Sequence, residues 1–344
     1  MPNLNLKNFA KIQDSDFDIK DITVFAGKPG TGKSYIMKML YAMSGAVHYN
    51  HPQHESLLER LVSLKLSDDM NIENSIKVKD ELSVNYKNIL NSIFENLNQI
   101  GENFIVESKS IKLEYINSKL KLELLDSKSA LGTDNSIFVE TPLILEFYQF
   151  LDKTPYKTPY HIESLMNVLK EDYSPTTENE DEFIKYFVNK TKDVINGNIK
   201  NEGQSFSFTN SNEQKFNIIN ASSGIKSIGL LQYLVTNKAL KKGSILFWEE
   251  PEVHLHPTWQ LKMVDLFIEL MNAGVKIVFS THSPFMADYL NAKSTREKFR
   301  DRISFNLLSE EDVVVSNAIL NDDNWNLLQD ELLGSLEDIM WQYL

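Results

Sequence analysis

The sequence predicts an α/β protein with a mostly parallel core sheet, an antiparallel β subdomain and a helical insertion lobe. Three observations predict it. Apolar runs at 22–25, 245–248 and 275–279 read as strands buried on both faces, the habit of parallel sheets. "NFIVES", "SIKLEYIN" and "KLKLELL" instead alternate apolar and polar residues, as strands of an antiparallel meander do. Helical periodicity marks other stretches, among them 76–100, where Leu82, Tyr86, Ile89, Ile93, Leu97 and Ile100 share one face.

In chain order, "LNLKNFAKI" begins a strand pair that the meander extends. The 22–25 strand runs into a glycine-rich loop and then the helix "SYIMKMLYAM". Residues 53–66 and 76–100 read as helices, and the meander follows. After Pro142 come helices, the polar acidic loop "EDYSPTTENEDE" and a helix ending near Gly197. "NASSGIKSIGLL" opens a helix with Ile225, Ile228, Leu231 and Leu234 on its apolar stripe. Two buried strands come next, then the pair "RISFNLL" and "EDVVVSNAI", then an amphipathic C-terminal helix holding Trp325 and Trp341, read as core packing or a docking face. Apolar heptads do not persist, so no long coiled coil is expected.

Composition excludes several classes. With 344 residues, 42% hydrophobic and 24% charged, the chain is ordinary for a globular protein. It has no cysteine, so neither disulfides nor thiolate metal sites are available. The N-terminus lacks the apolar core of a signal peptide, and no window approaches the roughly 20 apolar residues of a membrane span. A cytoplasmic location is the simplest expectation.

The formal charge of −13 does not point to nucleic acid, which needs a basic surface, although that partner stays open. Local lysine clusters occur in "KLKLELLDSK" and around Lys190, Lys192 and Lys200. The arginine-rich "STREKFRDR" reads as a solvated helix end with balancing acids. His48, His51 and His54 are spaced as three imidazoles that could suit zinc. Pro52 interrupts any single helix there and no carboxylate spacing supports a site, so a connecting loop is the reading adopted.

The strongest chemical signal is "DITVFAGKPGTGKSYIMKML". Gly27, Lys28, Pro29, Gly30, Thr31, Gly32, Lys33 and Ser34 satisfy the phosphate-loop pattern G-x-x-x-x-G-K-[ST], between a strand and a helix as the pattern requires. The glycines let successive N–H groups face a pyrophosphate at a helix N-terminus. Lys33 neutralises β- and γ-phosphates in this reading, and the Ser34 hydroxyl binds Mg2+. Tyr35 completes the nucleotide-holding stretch. The ligand expected is ATP.

The second signal is "GSILFWEEPEVHLHP", with Glu249 and Glu250 at the tip of a buried strand. Carboxylates so placed cost desolvation energy unless a task keeps them there. A phosphate-loop enzyme needs one acid to hold magnesium and another group to orient and deprotonate water. Glu249 fits the first role, although aspartate is usual there. Glu250 fits the second.

More than half the chain separates Lys33 from Glu249, far more than in hexameric ring ATPases. "NASSGIKSIGLL", "EEPEVHLHP" and "VKIVFSTHSPF" follow in that order. These features together resemble the ATPase heads of the ATP-binding-cassette superfamily, and within it the SMC-like and OLD-like branch of stand-alone bacterial ATPases. The resemblance implies that Gly27 to Ser34 is the Walker A loop, Glu249 the Walker B acid and Glu250 the catalytic glutamate. It implies that Ser222, Ser223 and Gly224 are the signature motif, which contacts the γ-phosphate held by an opposite subunit. "PEVHLHP" becomes the loop linking two sites across a dimer, and His282 the switch histidine. No glutamine stands where the glutamine loop is expected, near "IFVETPLILEF"; Glu140 or Thr141 could replace it.

The resemblance divides the chain into an ATPase core, 1–50 and 201–344, and an inserted helical and antiparallel β lobe, 51–200. It implies ATP hydrolysis by a homodimer or higher oligomer that regulates a separate effector, a nuclease or toxin, in bacterial anti-phage defence. Residues 283–344 are too few for a nuclease domain of their own, and Asp322 and Asp323 lack the strand-embedded glutamate one needs. A recombination-mediator ATPase would need a basic dimer groove. A transporter subunit would need a clear glutamine loop. A non-hydrolysing ATP sensor would have no use for Glu250 and His282.

Overall fold

The computed structural model describes residues 4–45, 84, 86–109, 111–125, 135–151, 158–170, 178–309, 314–315, 326, 330 and 332. Two compact units divide the chain: Met1–Ser136 with Ser304–Leu344, and Ile137–Ile303. His48, His51 and His54, the expected helix at 53–66, the acidic loop up to 177, and Trp325 and Trp341 lie outside the described residues.

The first unit contains the antiparallel subdomain. Strands β1 (Leu4–Phe9), β2 (Ile12–Phe17), β4 (Asn103–Ser108), β5 (Ile111–Ile116) and β6 (Lys119–Leu124) form a sheet in the order β2-β1-β4-β5-β6. The alternation foreseen in the sequence explains it. Leu4, Leu6, Phe104, Val106, Ile111, Leu113 and Tyr115 are buried, while their neighbours in sequence face outward. Phe104 packs edge-on to Phe9 and stacks on Tyr115, with ring centroids 5.4 and 5.0 Å apart. Asn117 and Ser118 both take positive φ, 49° and 63°, the geometry of a two-residue hairpin turn that matches strand twist. The meander therefore extends the N-terminal pair through β1 and β4, as expected.

The same unit holds β3 (Ile22–Ala26), every residue of it buried, beside β13 (Ile303–Leu308) and β14 (Val314–Val315) in the order β14-β13-β3. Asn306 is fully buried on β13, and its Nδ2 donates to Val24 O at 3.3 Å and to Ser304 Oγ at 3.2 Å. Helix α1 (Lys33–Gly45) follows the loop after β3, and helix α2 covers 86–94. Tyr86 of α2 donates to Met43 O at 3.3 Å in the core, and burial pushes its phenol well above the ordinary range. The helix expected over 76–100 stops early. Glu95 takes φ 56°, and Asn96 caps a 3-10 turn over Leu97–Gln99.

The second unit holds β7 (Ser136–Val139), β11 (Ile245–Glu249) and β12 (Lys276–Thr281) in the order β12-β11-β7. Strands β11 and β12 are parallel, with Glu249 opposite Ser280. A three-stranded antiparallel sheet, β10-β9-β8, comes from β8 (Gly197–Asn201), β9 (Phe206–Asn210) and β10 (Lys215–Asn217). Among the unit's described residues are the helices α3 (Ile144–Leu151), α4 (Tyr160–Lys170), α5 (Glu178–Ile195), α6 (Ser223–Thr236), α7 (Pro257–Asn272) and α8 (Pro284–Arg296). α7 and α8 each begin with proline at the first helical position, where a missing N–H costs nothing.

Side chains tie these elements together. Gln232 of α6 accepts from Ile199 N on β8 at 2.9 Å and donates to Thr191 Oγ1 on α5 at 2.9 Å, all of it buried. α7 is clipped on two sides by tyrosine–lysine pairs one helical turn apart. Tyr186 and Lys190 reach Glu269 at 2.9 and 2.5 Å, and Tyr289 and Lys293 reach Asp265 at the same two distances. Arg302 donates to Met271 O at 3.1 Å, satisfying a carbonyl of the last turn of α7, so this arginine of "STREKFRDR" caps a helix.

Candidate active site

Each unit carries one part of the candidate machinery. In the first, the chain leaves β3 at Gly27, whose φ is 141°; a Cβ there would lie 2.1 Å from Leu308 O, so glycine is required. Gly30 and Gly32 also take positive φ, 78° and 98°, and Pro29 and Gly30 are exposed. This backbone turns the loop back on itself before α1 begins at Lys33. The Lys33 ammonium is buried and donates to Gly27 O at 2.8 Å, Lys28 O at 2.7 Å and Thr31 Oγ1 at 3.4 Å. Thr31 in turn donates to Lys28 O at 3.0 Å. Ser34 is half-buried on the first turn of α1, while the Tyr35 ring stacks on Phe94 of α2, 5.8 Å between centroids and 4° from parallel. The loop and its lysine thus form one hydrogen-bonded cradle.

In the second unit the candidate catalytic residues Glu250 and His282 converge at the ends of two neighbouring parallel strands. Glu249 is the last residue of β11, and Glu250 follows in the left-handed region at φ 45°. Glu250 is held there by its own N–H, which donates to Ser280 O at 3.1 Å and Ser280 Oγ at 3.2 Å. His282 lies just past the tip of β12, and its Nε2 sits 3.1 Å from Glu250 Oε1. The structure therefore brings together two of the residues singled out as catalytic. Glu250 keeps 40% of its side-chain surface, enough to meet solvent water.

The Ser222–Ser223–Gly224 stretch forms the N-terminus of α6. Ser222 is the cap, its Oγ accepting from Ile225 N at 3.4 Å. Gly224 packs so closely on Trp259 that an added Cβ would lie 3.0 Å from the indole. Lys226, one turn in, is buried in an ion pair with Glu146 of α3 and donates to Ile219 O at 3.3 Å. At the position where a glutamine was expected, Glu140 meets His161 Nε2 at 2.7 Å, with His161 buried.

Sequence reasoning missed residues that build this half. Glu252 accepts the N–H of His282, and Ser283 joins Gln260 at 2.5 Å. Ser283 carried a signal, since serine before proline marks a helix start. Glu252 is read in the sequence only as part of "PEVHLHP", without a role of its own, and Gln260 carried no signal.

A phosphate-loop pattern opening a helix, and an acid–histidine pair past the tips of parallel strands, are the features expected of a P-loop nucleotide-binding head. The family model described as "AAA domain, putative AbiEii toxin, Type IV TA system" matches residues 22–288, and the chain belongs to that family. No curated protein matches the chain. Among solved structures, an Smc head bound to the C-winged-helix domain of ScpA is 13% identical with a TM-score of 0.52, covering 94% of this chain and 98% of that one. The SMC head domain from Thermotoga maritima is 13% identical with a TM-score of 0.44, covering 89% and 94%. A nucleotide-free ATP-binding cassette from an ABC transporter is 12% identical with a TM-score of 0.43, covering 96% of each. The first of these shares the fold. Among the described residues no helix is long and apolar enough to cross a membrane.

Proposed function

We propose that the chain is a magnesium-dependent ATPase head that dimerises around ATP and regulates a separate effector, a nuclease or toxin, in a bacterial defence system. The observation that carries this reading is the loop from Gly27 to Ser34, with its positive-φ glycines and an ammonium already seated among loop oxygens. Such a cradle fits a polyphosphate. Its N–H groups would bind phosphate oxygens at the start of α1, and Lys33 would exchange loop carbonyls for them.

Ser34 and Glu249 offer hard oxygen donors, the set that suits Mg2+, and would be its protein ligands. When bound, the ion would offset charge building on the phosphate oxygens. Glu250 would take the proton of the attacking water on the oxygen that His282 leaves free. His282 Nε2, 3.1 Å from the other oxygen, would hold that carboxylate in place. Ser222, Ser223 and Gly224 would complete the site of a second copy. In this reading residues 1–50 and 201–344 are the ATPase core, 51–200 the inserted lobe that meets the effector, and the protein works in the cytoplasm. The toxin named in the family's description supports the defence setting. The ScpA-bound Smc head supports a partner chain on such a fold.

Complementation tests the shared site. Lys33→Ala should lose nucleotide binding, and Ser223→Arg should bind ATP without hydrolysing it. Mixed in equal amounts, the two should regain partial activity, since one site of the mixed dimer has an intact loop and an intact signature. A dead mixture in which mass measurements show mixed dimers would count against it. So would wild-type activity independent of protein concentration.

A further inference from the structure

The loop after β11 is strapped to the tip of β12 by a carboxylate that the reaction above does not use. Glu252 Oε1 accepts the main-chain N–H of His282 at 2.6 Å. Its other oxygen, Oε2, is shut off from solvent and has no hydrogen-bond partner among the described residues. A buried, half-satisfied carboxylate is costly, so its position calls for a reason.

The surrounding geometry supplies one. Glu250 and His254 both sit in the left-handed region, φ 45° and 65°, where a residue other than glycine persists only if its surroundings fix it. Val253 N donates to Glu250 O at 3.0 Å and Leu255 N to Glu252 O at 2.8 Å, which closes the loop on itself. Its far end is tied as well. Gln260 Nε2 donates to Leu255 O at 3.1 Å, Ser283 Oγ donates to Gln260 Oε1, and Ser283 N donates to Thr281 Oγ1 at 2.9 Å. Within this ring, the bond that His282 N donates to Glu252 ties the loop to the main chain of His282.

We propose that Glu252 is a positioning residue for hydrolysis, fixing the main chain of His282 so that its imidazole stands against Glu250. Glu252 itself need touch neither nucleotide nor water. The inference rests on the reading of Glu250 as the base and adds the element that holds the base and its histidine in register. The interaction needs an acceptor oxygen at the end of a three-carbon arm. Glutamine supplies that oxygen, aspartate falls one methylene short, and alanine has none.

The experiment measures MgATP hydrolysis and fluorescent-nucleotide binding on the full chain, with folding checked by circular dichroism and thermal melting. Glu252→Ala should lower kcat by about tenfold or more while KM and nucleotide affinity stay within about twofold, the pattern of a lost transition-state contact. Glu252→Gln should keep most of the wild-type kcat, which a residue needed for its charge would not. In a Glu250→Gln background, Glu252→Ala should cost little more, because it acts through the group already removed. If Glu252→Ala does not fold, Glu252→Asp takes its place with the same expected split.

A folded Glu252→Ala or Glu252→Asp with wild-type kcat would overturn the proposal, as would losses that multiply with Glu250→Gln. Wild-type turnover by Glu250→Gln would instead overturn the assignment of the base on which it stands.

Discussion

Glu252 shows at the scale of one residue how burial makes chemistry visible that sequence does not. Desolvation raises its carboxyl pKa above the ordinary glutamate value of about 4.3, against hydrogen bonds from His282 N, Glu252's own main chain and Thr281 that lower it. A carboxyl with a raised folded-state pKa binds its proton more tightly in the fold than unfolded. Its contribution to stability is whole below about pH 4.3 and is lost as pH rises through the folded value. Glutamine cannot ionise. The melting temperature of Glu252→Gln relative to wild type should therefore climb as pH rises from about 4. A difference that stays flat, or that falls with pH, would show that the carboxyl is not strained by burial. The phosphate loop was legible because its residue types and spacing are themselves the mechanism. Glu252 was illegible because one glutamate among many reveals its role only through what encloses it.

Among the elements, strands followed from pattern, whereas cross-links did not. The period-2 runs became β4, β5 and β6, and the all-apolar runs became β3, β11 and β12. The overrun at 95–100 has a physical cause. Leu97 and Ile100 remain buried, so the apolar period continues after the backbone has left the helix at Glu95. Periodicity reports which side faces the core, not which dihedral gets it there. Gln232 was hidden for the opposite reason, as a polar residue on a buried helix face. Gln232→Leu would leave the buried Ile199 N–H without its acceptor, while the Thr191 hydroxyl still donates to Phe187 O, and should cost about 2 kcal/mol in chemical denaturation. Lys190→Met removes a part-exposed ion pair to Glu269 and should cost about 1 kcal/mol or less, because water screens such pairs. Equal effects would mean that the α7 clip matters as much as the buried amide.

For the whole molecule, the order of motifs along the chain carried the class, because each motif marks a strand tip or helix start that this fold must supply. Glu250 and His282 were assigned separate roles from sequence, and the fold places them 3.1 Å apart. Their proximity had no sequence signal, since it comes from the parallel pairing of β11 and β12. The central claim is that this chain hydrolyses ATP with Glu250 as the base. The most direct measurement is phosphate release from saturating MgATP by wild type and Glu250→Gln, alongside their affinity for the nucleotide. The amide keeps the shape of the side chain and leaves the phosphate loop untouched. The account predicts unchanged ATP binding and turnover lower by a factor on the order of 10² or more. Hydrolysis by Glu250→Gln at the wild-type rate would contradict it.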